Sequence, residues 1–221
     1  MIHVHNVSQE FTVGNSIHMA LTDITFSTAP KEIIAIMGAS GSGKSTLLNI
    51  IGGLLTPTRG HVSINNVNVS TLSDDDASAL RSKVIGFVFQ SFNLVPVFTA
   101  YENVEYPLLL QDVPPKERKD RVHDLLRKVG LEKFAKSIPS RMSGGQQQRV
   151  AVARALVTHP KVLLGDEPTA NLDERTASEV LDLMLQLNQD IGASLVFSTH
   201  DKRVAAVASR VCELQGGVMQ A

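Results

Sequence analysis

A glycine-rich segment between an apolar run and a helical pattern constrains this chain more than any other feature. The segment is Gly38-Ala39-Ser40-Gly41-Ser42-Gly43-Lys44-Ser45-Thr46, which contains the pattern G-x-x-x-x-G-K-S. Residues 32–37 before it are typical of a buried strand, and residues 47–51 after it have the apolar spacing of a helix. Strand, glycine loop and helix in this order predict an α/β fold with a nucleotide site.

The residue types of this segment suit a chain of phosphates. Glycines let backbone N–H groups turn toward phosphate oxygens, and the helix start adds a partial positive charge. Lys44 offers a charge to the β- and γ-phosphates, which also makes it a candidate catalytic residue, and Ser45 offers a hydroxyl ligand for Mg²⁺. The residues expected to bind nucleotide here are Gly38, Ser40, Gly41, Ser42, Gly43, Lys44, Ser45 and Thr46.

Composition narrows the class of protein. The 221 residues suit one sizeable domain, or one core with an inserted subdomain, and 43% of them are apolar. The longest nearly apolar stretches, such as residues 47–55, are about half of the ~20 residues that a membrane span requires, and no leader is evident. A net charge of −1 argues against a nucleic-acid surface, and the single Cys212 excludes an internal disulfide. We therefore expect a cytosolic protein with no nucleic-acid partner.

The opening residues predict two strands. Residues 2–7 and 20–26 alternate apolar and polar side chains, and a hairpin-like connection is expected around Gly14-Asn15. Phe11 lies in this region, where an aromatic ring can stack on an adenine. A phenylalanine among strands is equally typical of a core, and both interpretations stay open at this point.

Polar residues follow three further buried runs, at the strand ends where open α/β sheets bind ligands. Gln90 follows residues 84–89, and its amide oxygen suits Mg²⁺ or an attacking water, although a solvated glutamine is the plainer interpretation. Asp166 and Glu167 follow residues 161–165; Asp166 suits Mg²⁺, and Glu167 is placed to polarise a water aimed at the γ-phosphate. His200 follows residues 194–199, beside the expected nucleotide or in a structural role.

Residues 91–149 change in character and predict a helical insertion. Residues 91–100 are apolar and irregular, and residues 102–110 and 114–129 have helical patterns. The apolar residues at its start are a candidate docking surface or the core of the insertion itself: Phe92, Leu94, Val95 and Phe98.

A second glycine turn feeds a helix at residues 142–156, with Ser143 at the N-cap position. The chain therefore holds two helix starts suited to anions. One nucleotide has a single triphosphate, so the second start requires an explanation.

These motifs together resemble the nucleotide-binding subunit of an ATP-binding-cassette (ABC) transporter over essentially the whole chain. The elements that carry the resemblance are residues 38–46, Gln90, Ser143-Gly144-Gly145-Gln146, residues 163–167, Asn171-Leu172-Asp173 and His200. It implies a single ABC ATPase domain over residues 1–221, built as a RecA-like P-loop NTPase core. It also implies an antiparallel β subdomain within residues 1–90 and 150–221, and an inserted α-helical subdomain at residues 91–149.

The resemblance implies a role for the second glycine turn. Two copies pair head to tail, and Ser143, Gly144, Gly145 and Gln146 serve the ATP held by the partner's phosphate loop. Asp173 then contacts the other subunit.

The same resemblance assigns the remaining roles. Glu167 is the general base, His200 senses the γ-phosphate, and Gln90 links Mg²⁺ to a membrane partner that docks near residues 91–98. Phe11 occupies the position of the family's adenine-stacking aromatic residue, which is usually tyrosine.

Two departures from the family pattern are mild. Met142 replaces the usual leucine, and Gly165 stands where a bulkier residue is common, so their effects on turnover stay open. Residues 52–54, 89–94 and 101–104 resemble the lipoprotein-release, macrolide-export, haem-export and division-associated group.

The expected function is therefore an ATPase subunit at the cytoplasmic face of the inner membrane. It powers a permease that exports or extracts a substrate of the lipoprotein, haem, drug or peptide type. Transmembrane signalling to cell-wall hydrolases is the alternative, and a soluble ABC ATPase acting on DNA or ribosomes suits a chain without coiled-coil insertions less well.

Overall fold

The structure is a computed structural model that describes residues 1–14 and 16–220, so the Asn15 half of the expected connection lies outside the described residues. The chain divides into two compact units. The first comprises Met1–Arg81 and the segment that begins at Ser194, and the second is Ser82–Ala193. The subdomain limits expected from the sequence, residues 1–90 and 150–221 around residues 91–149, stay a prediction.

The first unit contains an antiparallel sheet in the order β2-β1-β4-β5. Its strands are β1 (Ile2–Val13), β2 (Ser16–Ser27), β4 (Arg59–Ile64) and β5 (Val67–Asn68). Apolar residues at alternate positions, such as Ile2 and Val4, are buried on one face. Both predicted opening strands are confirmed, and each is longer than the alternating pattern indicated.

The first unit also contains parallel strands, which position the glycine loop. Strand β3 (Ile33–Met37) lies between β8 (Ser194–Thr199) and β9 (Arg210–Gln215) and is parallel to both. The short β10 (Val218–Met219) is antiparallel to β9. Met37 pairs with Thr199, so β3 and β8 reach the same edge of the sheet.

Three helices accompany these strands. They are α1 (Lys44–Ile51), α2 (Asp74–Val84), which includes the residues where the units divide, and α7 (Lys202–Val207). Three acidic residues in the first turn of α2 suit the positive end of the helix dipole.

The second unit pairs β6 (Ile85–Phe89) in parallel with β7 (Val162–Asp166). Its helices are α3 (Ala100–Leu109), α4 (Pro115–Lys128), α5 (Gly144–Leu156) and α6 (Glu174–Ile191). Helix α5 lies against β6 so closely that a Cβ atom on Gly86 would be 2.4 Å from the Ala155 carbonyl oxygen. Only glycine permits this approach, which makes α5 and β6 one packed element. No helix among the described residues is long and apolar enough to span a membrane.

Candidate functional site

The glycine loop joins β3 to α1 with backbone conformations that glycine alone adopts readily. Gly41 has φ +79° and Gly43 has φ +101°. A Cβ atom on Gly43 would lie 2.5 Å from the Ala20 carbonyl oxygen of β2. The loop therefore folds tightly against the antiparallel sheet and presents the start of α1, where backbone N–H groups point toward a ligand.

Two buried polar side chains of the loop suit phosphate oxygens. The Lys44 ammonium group donates hydrogen bonds to the carbonyl oxygens of Gly38, at 2.8 Å, and Ala39, at 3.1 Å. The Ser42 hydroxyl is buried and has no hydrogen-bond partner among the described residues. A buried hydroxyl without a partner destabilises a protein by about 1–3 kcal/mol. The loop therefore fits a ligand that brings acceptor oxygens, as a phosphate chain does.

His200 lies beside the same loop. It follows β8, and it lines a cavity of about 450 Å³ together with Met37, Gly38, Ala39 and residues 213–215. The predicted neighbourhood of His200 and the glycine loop is thus present within the first unit, although no observation assigns the histidine a role.

Phe11 lies on the antiparallel sheet near the glycine loop. Its side chain is 39% exposed, and it pairs across the strands with His18, two residues before Ala20. The core interpretation of Phe11 is therefore wrong, because a large part of the ring faces solvent. The exposed ring lies on the strand that pairs with β2, and β2 itself contacts the loop at Gly43.

Gln90 is held by another segment that the sequence singled out, the Asn171-Leu172-Asp173 turn. The Asn171 amide donates to the Gln90 carbonyl oxygen at 2.9 Å, and the Gln90 amide donates to Asn171 Oδ1 at 3.4 Å. Gln90 is therefore an exposed residue with a defined partner, and not simply a solvated strand end.

Asp166 is the last residue of β7, and Glu167 follows it directly. Asp166 pairs with Phe89, the residue before Gln90, so the two strand ends meet at one edge. Glu167 has φ +45°, a left-handed conformation that costs a residue with a side chain about 1–2 kcal/mol. Strain of this kind is typical of functional sites, where the surrounding structure holds a side chain in a required direction.

The second glycine turn is confirmed as the start of a capped helix. Ser143 Oγ accepts a hydrogen bond from the Gln146 N–H at 3.3 Å, and Gln146 Oε1 accepts one from the Ser143 N–H at 2.9 Å. Both side chains therefore stabilise α5 from within one chain. The Ser143 hydroxyl acts as an acceptor in this pair, so its own hydrogen is available to donate to a phosphate.

The glycine turn packs against the start of α6. A Cβ atom on Gly145 would lie 2.5 Å from Thr176 Cγ2, whereas one on Gly144 would meet nothing closer than 3.7 Å. Asp173 caps α6 by accepting from the Thr176 N–H at 3.1 Å, and hydrogen bonds to Thr176 lower the pKa of the Asp173 carboxyl. Asp173 thus has a structural role whatever contact it makes with another subunit.

The two departures from the family pattern lie in the interior. Met142 is buried, as an apolar replacement should be, and Gly165 pairs with Val88 inside the β6–β7 ladder. Neither position shows a local feature that decides its effect on turnover.

One residue that the sequence did not single out is Arg154. Its guanidinium group donates to the carbonyl oxygens of Asn93, at 2.6 Å, and Phe92, at 2.9 Å, and burial lowers the pKa of Arg154 to about 10. The sequence feature that could have pointed to Arg154 is that it is the one charged residue in an otherwise small and apolar run, Val150-Ala151-Val152-Ala153-Arg154-Ala155-Leu156.

The candidate docking segment is neither buried nor fully solvated. The four apolar side chains named from the sequence are half-buried, and Val97, which lies between two of them, is 77% exposed. Tyr106 and Leu109 of α3 and the next residue, Leu110, are also exposed, and the Phe98 and Tyr106 rings are in contact. An apolar surface of this kind is typical of a site that contacts another molecule.

Comparison with known proteins decides the family. A family model described as ABC transporter matches residues 21–170. The chain belongs to the ABC transporter family. It is 45% identical over 225 residues to YtrE of Bacillus subtilis, an ABC transporter ATP-binding protein, covering 100% of the chain and 97% of that protein.

Two further likenesses are close. The chain is 48% identical over 189 residues to the lipoprotein-releasing system ATP-binding protein LolD of Alcanivorax borkumensis, covering 86% of the chain and 83% of LolD. The ATP-binding cassette MJ0796 of Methanocaldococcus jannaschii, solved as a dimer bound to ADP and Pi after hydrolysis, matches with a TM-score of 0.93 and 42% identity. That match covers 100% of the chain and 97% of MJ0796.

Family membership confirms the fold predicted from the sequence, a P-loop NTPase cassette. It also confirms the class of activity: the chain is an ATP-binding, ATP-hydrolysing subunit of the ABC transporter type.

Proposed function

We propose that two copies of this chain close head to tail on ATP and thereby drive a membrane permease. The observation that carries the proposal is that one chain presents two helix starts suited to anions, at α1 and α5. Each ATP has one triphosphate, so the Ser143 turn is explained if it binds the ATP held by the other copy. The cassette MJ0796 was solved as a dimer, and a pair of chains is what this arrangement requires.

The phosphate loop and Phe11 bind the nucleotide in this proposal. Lys44 exchanges its loop carbonyl acceptors for β- and γ-phosphate oxygens, because charged acceptors make the stronger hydrogen bonds. Ser42 gains the partner that it lacks within the chain. The exposed Phe11 ring stacks on the adenine.

Glu167 and His200 carry the chemistry in this proposal. Glu167 accepts a proton from the water that attacks the γ-phosphorus, and ADP leaves as phosphate is released. His200, beside Gly38 and Ala39, donates to an oxygen of the γ-phosphate. The strained backbone of Glu167 supports the assignment of the base.

In this proposal Ser45, Gln90 and Asp166 would bind Mg²⁺. Hydroxyl, amide and carboxylate oxygens are ligands of hard cations, and Mg²⁺ in nucleotide sites takes only one or two carboxylates beside substrate phosphates. When bound, Mg²⁺ neutralises charge that develops on the phosphates. Asp166 ends β7 and Gln90 directly follows β6, the strand paired with it, and this neighbourhood of the two residues supports the assignment.

The permease docks on the apolar segment at residues 91–98, and the chain is therefore a peripheral protein of the cytoplasmic membrane face. The exposed Val97 and the half-buried side chains around it support this docking site. The likeness to LolD supports export or extraction of a substrate of the lipoprotein type, and the 44% identity to the macrolide export protein MacB supports a drug-type substrate equally.

The experiment that tests this proposal is a pull-down from detergent-solubilised native membranes with tagged Glu167→Gln protein and ATP. We expect an integral membrane protein with a large extracytoplasmic domain to co-purify. Val97→Asp should lose it, whereas Leu54→Asp, at an exposed apolar site outside the segment, should retain it. Recovery of ribosomal or DNA-repair proteins without a membrane protein would contradict the proposal, and a partner that controls cell-wall hydrolases would replace transport by signalling.

A further inference from the structure

Arg154 makes an unusual contact for a residue near the end of a packed helix. Two nitrogens of its guanidinium group donate to two successive carbonyl oxygens, those of Phe92 and Asn93, which are 62 and 61 residues away in sequence. The two nitrogens are held in one plane at a fixed spacing, a geometry that the single ammonium nitrogen of lysine does not supply. The contact therefore depends on arginine and not on positive charge alone.

The charge of Arg154 is not balanced by a carboxylate. Among the described residues its only hydrogen-bond partners are these two carbonyl groups, although the side chain is half-buried. Removing a cation from water without an ion-pair partner is unfavourable. A helix that needed only stability would be served better by an apolar side chain at this position.

The two carbonyl groups belong to a strained turn. Phe92 has φ +62° and Asn93 has φ +49°, both in the left-handed region. Two successive residues with side chains persist there only when surrounding contacts hold them. Arg154 supplies two of these contacts, and Ser91 supplies another through its hydroxyl, which lies 2.8 Å from Asn93 Oδ1.

The turn lies between two functional segments. Gln90 comes directly before it and is held by Asn171, so residues 90–93 are fixed from the α6 side and from α5. Arg154 also lines a cavity of about 200 Å³ with Phe89, Asn93 and Pro107, next to the proposed docking segment. The other end of α5, about 15 Å away at 1.5 Å per residue, carries the Ser143 turn.

We propose that Arg154 is a positioning residue for ATP turnover, which fixes the turn after Gln90 and makes it move together with α5. Docking at residues 91–98 and pairing at the Ser143 turn then act on Gln90 through one rigid helix. This inference rests on the proposed function, because it requires that Gln90 serves Mg²⁺ and the attacking water.

The test compares Arg154→Met and Arg154→Lys with the wild-type chain. Methionine keeps an unbranched side chain and removes every donor, whereas lysine keeps the charge and loses the planar fork. Arg149→Met is the matched control, because Arg149 lies on the same helix and pairs with Glu179 instead. Binding of ATP without Mg²⁺, kcat, and the Mg²⁺ concentration for half-maximal turnover are measured for each variant.

We expect all variants to bind Mg²⁺-free ATP within about threefold of the wild type, because the phosphate loop is untouched. Arg154→Met should lower kcat and raise the Mg²⁺ requirement by about two- to thirtyfold, the usual range for coupling through a packed network. Arg154→Lys should lie between this variant and the wild type, and Arg149→Met should match the wild type.

Unchanged kcat and Mg²⁺ requirement in both Arg154 variants would overturn the inference. A fall in kcat would also overturn the inference if it equalled the loss of folded protein and left the Mg²⁺ requirement unchanged. Arg154→Lys carries the test if Arg154→Met does not fold. Wild-type protein that binds ATP without turnover would instead contradict the proposed function, so the two failures are distinguishable.

Discussion

Lys44 lies folded back on its own loop, with its ammonium group on the carbonyl oxygens of Gly38 and Ala39. Replacing these neutral acceptors by phosphate oxygens gives stronger, charge-assisted hydrogen bonds, each worth about 1.5–3 kcal/mol. We therefore expect Lys44→Ala to weaken ATP binding by roughly ten- to a hundredfold in equilibrium titration. Lys128→Ala, at an exposed lysine of α4, is the control, and affinities within twofold for both variants would refute this role.

The backbone conformation of Glu167 lowers the stability of the fold, whereas its side chain is expected to be required for turnover. Its left-handed backbone disfavours any side chain, so Glu167→Gly should leave the free energy of unfolding unchanged or raise it by up to about 1 kcal/mol, while turnover is lost. Gln186→Gly, at an exposed position inside α6, should instead destabilise by about 0.5–1 kcal/mol. Denaturant unfolding of both variants measures this, and equal destabilisation would show that Glu167 is not strained.

The sequence indicates candidate residues for the nucleotide site, because motifs place them at strand ends and helix starts. Gln90, Asp166, Glu167 and His200 all lie where the strand pattern predicted. Arg154 could not be found in this way, since its role depends on a contact across 61 residues. The left-handed backbone of Glu167 also leaves no signal in residue type.

At the scale of elements, the contact between the starts of α5 and α6 depends on one missing side chain. Gly145→Ala would place Cβ at 2.5 Å from Thr176 Cγ2, and overpacking of this kind costs about 1–3 kcal/mol. Gly144→Ala has room and should be neutral or stabilise α5 by up to about 1 kcal/mol. Thermal unfolding should separate the two variants.

A second substitution tests whether the contact with Thr176 Cγ2 causes the loss of stability in Gly145→Ala. Thr176→Ser removes the methyl group that Gly145→Ala would meet and keeps the hydroxyl beside Asp173. The double variant should therefore recover most of the stability lost by Gly145→Ala. Additive losses in the double variant would mean that the glycine is required for another reason.

Element bounds follow the sequence closely where one periodicity dominates. The parallel strands β3, β6, β7 and β8 agree with their apolar runs, because strands buried on both faces are nearly continuous in apolar residues. Strands β1 and β2 were underestimated, since residues 16–19 are all exposed and leave no alternating pattern. The length of such a strand is set by backbone pairing with its neighbour, and the residue types alone do not indicate where that pairing ends.

At the scale of the whole molecule, ATP binding should stabilise the fold by mass action. At a hundred times Kd the stabilisation is about 2.7 kcal/mol, which corresponds to a rise in Tm of roughly 5–10 °C for a chain of this size. Wild type and Glu167→Gln should both show this rise in differential scanning fluorimetry, whereas the weaker affinity of Lys44→Ala should leave a smaller rise, from a stabilisation of about 0.4–1.4 kcal/mol at the same ATP concentration. A rise in Lys44→Ala equal to that of the wild type would place the nucleotide elsewhere.

Head-to-tail pairing makes a separate prediction for the whole molecule. If each ATP needs the Ser143 turn of the other copy, specific ATPase activity must increase with protein concentration and level off once dimers predominate. Mixing Ser143→Arg chains with Lys44→Ala chains should restore activity above that of either variant alone, because each mixed pair has one site with an intact loop and an intact turn. Specific activity that is independent of concentration down to nanomolar protein would contradict pairing as a requirement.

The most direct test of the account concerns Glu167→Gln, measured for ATP affinity, turnover and dimerisation in the same preparation. The account predicts wild-type affinity, turnover reduced by about 10²- to 10⁴-fold as for loss of a general base, and a stable dimer in ATP but not in ADP by analytical ultracentrifugation. Turnover at the wild-type rate, or loss of ATP binding equal to that of Lys44→Ala, would contradict the assignment of Glu167 as the base in an ATP-closed pair.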